Sequence, residues 1–299
     1  MYKRQEEIKP GEELVFPLSQ HIGAPAVPIV EIGERVLAGQ KIAAKSGFIS
    51  ANIHSSVSGT VIKIEPRTIA TGGKVNSIII RNDNLYEQAP PINDKNPDDM
   101  TDDEIRTVIE EAGIVGMGGA GFPTNVKLTP KNPEAIDTII VNGAECEPYL
   151  TSDYRRMLEY TDELVKGLKI VLRLFPGARG VFGVEDNKPE AIKALKKATS
   201  GENNIEVAVL KTKYPQGGER CMIKAVTGRE INSKMLPADA GCIVHNIDTI
   251  ASIYQAVYEG RPLTRRIVTV TGDAVNSTHN YYVYLGTNMR VLILSLIHI

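Results

Sequence analysis

A glycine-rich stretch has the clearest chemical potential in this sequence. The segment GIVGMGGAGFPTNVKL, residues 113–128, places five glycines within nine residues, followed by Phe122-Pro123 and Lys127. Clustered glycines tolerate positive φ and let backbone N–H groups approach an anion closely. A helix starting near Thr124 would add its N-terminal dipole, and Lys127 would add a point charge. The stretch therefore predicts a loop that binds a phosphate group.

Two other interpretations of the same stretch stay open. Gly116, Gly118 and Gly121 spell G-x-G-x-x-G, the pattern of a dinucleotide-binding (Rossmann) turn. That turn needs a strand leading into its first glycine, whereas the preceding segment has the pattern of a helix. The second alternative is a flexible joint between a helix and a strand. Such a joint would require neither the lysine nor the Phe-Pro pair.

Polar residues follow three segments that have the pattern of buried strands. The motif VNGAECEPYLTSD, residues 141–153, follows one apolar run, Glu185-Asp186-Asn187 follow a second, and KYPQGGE, residues 213–219, follows a third. In open parallel sheets, ligands bind beyond the carboxyl ends of the strands. We expect five side chains to meet in one cleft there: Asn142, Glu145, Glu147, Glu185 and Glu219. Beside an anion loop, such a set suits a nucleotide or a flavin.

The elements around these motifs predict a parallel α/β sheet. Residues 101–113 have a Thr cap, acids in the first turn and a glycine stop, as a helix does. Further helices are predicted over residues 153–174, 188–199 and 246–260, and strands over 136–142, 179–185 and 205–211. Strands alternating with helices imply right-handed crossovers between parallel strands.

The two ends of the chain have a different pattern. Residues 14–82 alternate short β-branched runs with turn signals, which predicts a small all-β module, and residues 88–99 have the composition of a linker. Segments 265–275 and 279–286 are β-like and predict the start of a third module. The final VLILSLIHI has no cap or turn after it, so we expect an element that is cut off.

The N-terminal module resembles a biotinyl or lipoyl carrier domain through GERVLAGQKIA and SSVSGTVIKI. A carrier needs a modifiable lysine at the hairpin tip between these halves. Phe48 falls at that tip, and Lys45 lies three residues away. We therefore predict a structural or docking module. His21 and His54 lack paired metal ligands and are predicted to be ordinary polar or capping residues.

Composition and charge limit the kinds of partner, metal site and membrane segment that we predict for this sequence. The 299 residues carry a net charge of −2, with 5% aromatic residues and no tryptophan, so nucleic acid is not a predicted partner. Cys146, Cys221 and Cys242 form no C-x-x-C pair, which argues against a disulfide framework, a metal site or an iron–sulfur site. Neither a signal peptide nor a run of about 18 apolar residues is present, so we expect a cytoplasmic chain, soluble or peripheral to a membrane.

Four motifs together carry a family resemblance: GMGGAGFPTNVKL, VNGAECEPYL, KYPQGGE and VHNIDTIASI. They resemble the RnfC family of the Rnf electron-transport complex and, more distantly, the flavoprotein subunit of complex I, over about residues 11–290. The resemblance implies an α/β fold class with flanking β modules. Its parts would be a barrel-sandwich (biotinyl/lipoyl-like) β module over 11–87, a linker over 88–100, a Rossmann-like parallel FMN- and NADH-binding domain over 101–262, and the start of a β-grasp (SLBB) module over 263–299.

The resemblance also implies roles for individual residues. The positions matching the loop that holds the FMN phosphate are Gly116, Gly118, Gly119 and Lys127. Those matching the flavin itself are Asn142, Glu145, Glu219 and Asn246, and those toward NAD(H) are Phe122 and Glu147. No side chain is expected to act as a nucleophile, because the flavin carries the chemistry. Compared with complex I, Met117 replaces an arginine and His245 an asparagine.

The function implied is that of a peripheral component of a membrane-bound, ion-translocating ferredoxin:NAD⁺ oxidoreductase, on the cytoplasmic side of the membrane. Its partners would be the other Rnf subunits, ferredoxin and NAD(H). The family carries two 4Fe–4S clusters after the β-grasp module, and this sequence has no ligands for them. MYKRQ and LSLIHI match no part of the family, which indicates a truncated gene model, so the chain is not expected to be active alone.

Two alternatives of other classes stay open. The chain could be a non-redox scaffold or quinone-site subunit of a related sodium-translocating NADH:quinone oxidoreductase. The glycine loop with Lys127 speaks against a scaffold, which needs no phosphate-binding loop. The other alternative is an unrelated protein that binds a sugar nucleotide.

Overall fold

The N-terminal part of the protein is built from short strands. The structure, a computed structural model, describes residues 6–69, 72–275 and 278–294. The strands that precede the first helix are β1 (Glu6–Ile8), β2 (Glu13–Pro17), β3 (Val27–Pro28), β4 (Arg35–Val36), β5 (Lys41–Ala44), β6 (Ile53–His54), β7 (Gly59–Thr68) and β8 (Lys74–Asn82). β2, β8, β7 and β4 form one sheet, and β3, β5 and β6 form another. Apolar side chains from both sheets share one core, as the predicted barrel-sandwich module requires.

Phe48, and not a lysine, lies at the hairpin tip of this module. Its surface is 73% exposed, and its position is the one predicted. Lys45 forms an ion pair with Glu110 of the neighbouring helical region. The Nε2 atom of His21 accepts a hydrogen bond from the Ala51 amide at 3.1 Å, which is the ordinary polar role expected of it.

A four-stranded parallel sheet forms the centre of the molecule. Its strands are β9 (Thr138–Gly143), β10 (Arg179–Glu185), β11 (Ile205–Leu210) and β12 (Cys242–Asn246), in the order β11-β10-β9-β12. This arrangement confirms the predicted parallel sheet. Strand β12 was not predicted from the sequence, because CIVHN is only five residues long and passes directly into a helix.

Helices cover both faces of this sheet. They are α1 (Asp102–Glu111), α2 (Thr124–Lys127), α3 (Ser152–Glu159), α4 (Thr161–Arg173), α5 (Pro189–Ala198), α6 (Glu219–Thr227) and α7 (Ile247–Glu259). Ile139 and Val141 of β9 are buried in a core with α1, α4 and α7. The intervening Ile140 points to the opposite face and packs with apolar residues of α6. This alternation explains why β9 lacks an exposed side.

The ends of the helices follow local sequence signals, with one exception. Thr101 and Glu104 form a complete capping box at α1, and Asn246 caps α7, which ends at Gly260 in the left-handed conformation. The predicted helix over 153–174 was wrong as a single element. It breaks at Tyr160, whose φ of −130° is not helical, and Thr161 starts a second helix with acids in its first turn.

A C-terminal hairpin packs beside the N-terminal module. It consists of β13 (Arg265–Val270) and β14 (His279–Tyr284), and α8 (Met289–Leu294) follows. β1 pairs with β14 in parallel, and the Tyr284 ring packs into the core of the N-terminal module. Residues 1–5 and 295–299, which include all of MYKRQ and most of LSLIHI, lie outside the described residues. Among the helices described, each is too short or too polar to span a bilayer.

Candidate functional site

The glycine-rich loop lies between α1 and α2 and is closed at its base. The Gly116 amide donates a hydrogen bond to the Phe122 carbonyl at 2.8 Å, and Val115 forms a β-bridge with Pro123. Gly121 has a φ of +67° and lies against the backbone of Gln20 in the N-terminal module. Because the helix α1 precedes this loop, the interpretation as a dinucleotide-binding turn is wrong.

The tip of the loop presents unpaired amide groups. Gly118, Gly119 and Ala120 are exposed, and their N–H groups have no hydrogen-bond acceptor among the described residues. A Cβ on Gly118 would lie 3.2 Å from the Cβ of Asn246, whereas a Cβ on Gly119 would meet open space. Successive free N–H groups of this kind are able to bind an anion.

Lys127 is the last residue of α2, the helix that follows the loop, and its side chain has two hydrogen-bond partners. Its Nζ atom donates to Oε1 of Glu219 at 2.9 Å and to the Val244 carbonyl at 2.9 Å. An ammonium group has three donors, so one remains for a ligand. Burial, with the charge of Lys127 as a further cause, lowers the pKa of His245 to about 3. His245 is therefore neutral, and the positive charge at this position belongs to Lys127.

Two asparagines lie side by side at the carboxyl ends of β9 and β12. Asn142 and Asn246 are directly paired in the sheet register. The Asn142 side chain donates to the Gly217 carbonyl at 2.8 Å, which holds the loop before α6. The Asn246 side chain donates to an oxygen of Asp153 at 2.6 Å and accepts from the Asp248 amide at 2.8 Å. Both amides thus organise the loops that surround the strand ends.

The Glu145 side chain contacts the N-terminus of helix α3. Its carboxylate accepts hydrogen bonds from the Ser152 hydroxyl at 3.0 Å and from the Asp153 and Tyr154 amides at 3.1 and 3.3 Å. These contacts stabilise the N-terminus of α3. Burial raises the pKa of Glu145, although the hydrogen bonds act in the opposite direction. Burial and the charges of Glu145 and Asp248 raise the pKa of Asp153 well above its usual value.

An ion pair that was not predicted from the sequence supports this acidic group. Arg156 lies within hydrogen-bond distance of one oxygen of Asp248, with Nε at 2.8 Å and a terminal nitrogen at 2.7 Å. Both residues are buried. Their spacing of 92 positions in the sequence gives no local signal that they pair.

Of the remaining predicted residues, one is exposed, one is half-buried and one is buried. Glu147 is exposed and accepts a hydrogen bond from the Tyr214 hydroxyl at 3.1 Å. Phe122 is half-buried at the base of the glycine loop. Glu185 is 2% exposed and accepts from the Lys213 amide at 3.4 Å, so the structure does not bring it into the cleft.

Two other features lie apart from the strand ends. A cavity of about 260 Å³ separates the N-terminal hairpin tip from α1 and α2, and its lining includes Lys45, Phe48, Arg106 and Asn125. Within the ranges 6–69, 72–275 and 278–294, no group of three or more His, Cys, Asp and Glu side chains is arranged to hold a metal ion.

Comparison with known proteins identifies both halves of the chain. Residues 2–85 match the family model described as the RnfC barrel sandwich hybrid domain, and residues 109–255 match the Nuo51 FMN-binding domain. A chain in the crystal structure of an air-oxidised NAD⁺-reducing [NiFe]-hydrogenase is similar in fold, with a TM-score of 0.53 and 23% identity over 61% of this chain and 36% of that chain.

Curated relatives extend the match to almost the whole chain. The C component of the Na⁺-translocating ferredoxin:NAD⁺ oxidoreductase complex of Acetobacterium woodii is 43% identical over 95% of this chain and 65% of its own length. The proton-translocating counterpart of Clostridium ljungdahlii is 45% identical, with 95% and 62% covered. The chain thus spans less than two thirds of the length of these two relatives. It belongs to the RnfC family, whose members are components of ion-translocating oxidoreductase complexes.

Proposed function

We propose that this chain binds FMN and NAD(H) and forms the flavin-binding part of the RnfC component in an ion-translocating ferredoxin:NAD⁺ oxidoreductase. One observation carries the proposal: three amides at the tip of a glycine loop have no acceptor within the described part of the chain, and the same loop leads into α2, whose Lys127 has a free donor. A phosphate monoester matches this donor set in charge and in hydrogen-bonding capacity.

The phosphate of FMN would bind at the loop tip. The amides of Gly118 and Gly119 would donate to it, with Lys127 supplying the positive charge. Gly116 would act differently, because its amide already closes the base of the loop. FMN, when bound, supplies hydride transfer and one-electron transfer chemistry. The residues of this chain would bind and orient it.

The rest of the site would surround the flavin ring and the nicotinamide nucleotide. Asn142 and Asn246 lie at the strand ends, where the ring would lie over the sheet edge, and Glu219 lies at the start of α6. Glu145 would act through the position of α3. Phe122 and Glu147 would face NAD(H), and the exposed location of Glu147 supports that assignment.

We further propose the division of the chain. Residues 11–87, 101–262 and 263–299 would form the barrel-sandwich module, the flavin domain and part of a β-grasp module, with 88–100 as a linker. Electrons would pass between FMN and ferredoxin through 4Fe–4S clusters whose ligands this chain does not supply. The other Rnf subunits would hold the protein at the cytoplasmic face of the membrane.

The alternative of a non-redox scaffold or quinone-site subunit is not favoured. The relatives are named as components of ferredoxin:NAD⁺ or ion-translocating oxidoreductases. The loop amides and Lys127 also give the chain a binding capacity that a scaffold would not use. A sugar-nucleotide-binding protein is likewise not supported, because the family matches cover both halves of the chain.

Flavin binding by the purified chain tests the proposal. We expect FMN to bind with a micromolar or lower Kd and NADH to bleach the bound flavin. Lys127→Gln should weaken FMN binding about 10- to 100-fold, as expected for a lost hydrogen bond to a charged group. Lys131→Gln is the matched control, because Lys131 is exposed and lies four positions away. Absence of FMN binding by the unmodified chain would overturn the proposal.

A double variant separates two roles of Lys127. Since Lys127 also neutralises Glu219, its loss could weaken FMN binding simply by exposing a negative charge. If Lys127 contacts the phosphate, Lys127→Gln combined with Glu219→Gln binds FMN more weakly than Glu219→Gln alone. Recovery of the affinity in the double variant would show that Lys127 acts only on Glu219.

A further inference from the structure

We propose that Arg266, on the C-terminal hairpin, is a positioning residue that orients the Met117–Gly118 peptide so that the glycine loop presents its amides to an anionic group of the bound nucleotide. A terminal nitrogen of Arg266 donates to the Met117 carbonyl at 2.8 Å. This inference rests on the proposed binding of FMN at the same loop. It adds a residue from a different part of the fold to that site.

Both polar groups of Met117 are held by other elements. The Thr249 hydroxyl of α7 accepts a hydrogen bond from the Met117 amide at 3.1 Å, while Arg266 of β13 binds the carbonyl. Thr249 is fully buried, so this anchor point is fixed by the core. Met117 is therefore clamped between α7 and the hairpin, immediately before the exposed part of the loop.

Clamping this carbonyl determines where the next amide points. In a trans peptide, the C=O and the following N–H point in opposite directions. Holding the Met117 carbonyl toward Arg266 thus directs the Gly118 N–H to the other side of the loop. Because Gly118 and Gly119 have no Cβ, their peptides rotate easily. A fixed peptide before them reduces the conformational freedom that anion binding would otherwise have to remove.

Arg266 also differs from its neighbour Arg265 in the pairing of its charge. Arg265 is within 3.3 Å of Glu7 and stacks on the Tyr284 ring. Among the described residues, no carboxylate lies within ion-pair distance of Arg266. Its positive charge therefore remains available to polarise the peptide and to favour an anion at the loop. A phosphate or pyrophosphate group is the ligand class that such a loop would take.

Variants of the whole chain test this role. Arg266→Met removes the donor and the charge, Arg266→Lys retains both in part, and Arg265→Met is the matched control on the same strand. We expect the FMN Kd to rise about tenfold in Arg266→Met, to rise less in Arg266→Lys, and to stay within about twofold in Arg265→Met. Hydrogen exchange of the Gly116 and Met117 amides, measured by NMR without FMN, should accelerate only in the Arg266 variants.

The two measurements distinguish failure of this inference from failure of the proposed function. An unchanged Kd together with unchanged exchange in Arg266→Met would overturn the positioning role. Equal losses in Arg266→Met and Arg265→Met would also overturn it, because they would indicate general destabilisation of the hairpin. If the unmodified chain binds no FMN, the proposed function fails, and amide exchange in the apo protein still decides whether Arg266 holds the loop.

Discussion

Two neighbouring regions at the carboxyl ends of the sheet use charged residues in opposite ways. The loop region, residues 116–120 with Lys127, keeps amide donors that have no acceptor in the described ranges, and its lysine is partly exposed. The acidic region, formed by Glu145, Asp153, Asp248 and Arg156, satisfies its charges internally. Asn246 joins the two, because its amide binds Asp153 and its Cβ lies beside Gly118.

The difference shows which charges are available for a ligand. A charged side chain can contact a ligand only if its internal partners leave it a free donor or acceptor that solvent can reach. Lys127 meets that requirement, whereas the Arg156–Asp248 pair is 4% and 11% exposed. In the proposed function, the acidic region would therefore hold the surrounding elements in place, and the loop region would supply the contacts to the ligand.

Breaking the internal ion pair should give the largest effect. Arg156→Met leaves Asp248 without its partner in a buried position, so we expect a loss of about 3–5 kcal/mol in the free energy of unfolding. Denaturant unfolding measures this. Arg179→Met is the control, since its pair with Glu206 is half exposed and should contribute about 0–1 kcal/mol. Similar losses in both variants would mean that the two regions do not differ as described.

Adding a methyl group to the loop tip should change binding more than folding. Gly119→Ala places a Cβ in open space at the exposed tip of the loop. We expect about tenfold weaker FMN binding, equivalent to about 1.4 kcal/mol, with the unfolding free energy within about 0.5 kcal/mol of the original. Titration of FMN and denaturant unfolding measure the two quantities. Unchanged FMN affinity would exclude the loop tip as the phosphate site.

A pH-dependent effect on stability should be the smallest. Asp153 has a folded-state pKa above its ordinary value of 3.8, so its contribution to stability is full below that value and is lost as pH rises through the folded pKa. Asp153→Asn removes this loss. Relative to the original protein, the variant should therefore gain stability as the pH rises above about 3.8.

The charges that surround Asp153 determine its pKa and therefore the pH dependence that this experiment measures. Glu145 and Asp248 raise its pKa, while Arg156 and the Asn246 amide lower it. Urea unfolding at several pH values measures the difference between the two proteins, and Asp162→Asn, at the start of α4, serves as a control. A difference that does not change with pH would show that Asp153 is ionised throughout.

Local signals in the sequence predicted most of the elements. Thr101 and Gly260 marked helix ends through contacts between near neighbours, and the structure places them there. The short strand β12 and the break at Tyr160 were not predicted, because both depend on how the segment packs against the sheet. The roles of the predicted site residues remain predictions.

The sequence by itself determined the family, the parallel α/β sheet and the glycine loop, since these follow from motifs and periodicity within short segments. Only the tertiary structure decided that Glu145 binds the start of α3 and that Lys127 pairs with Glu219. It alone brought Arg266 to Met117, across 149 positions of the chain. Partners so distant in sequence leave no local pattern, because their contact depends on how separate elements pack.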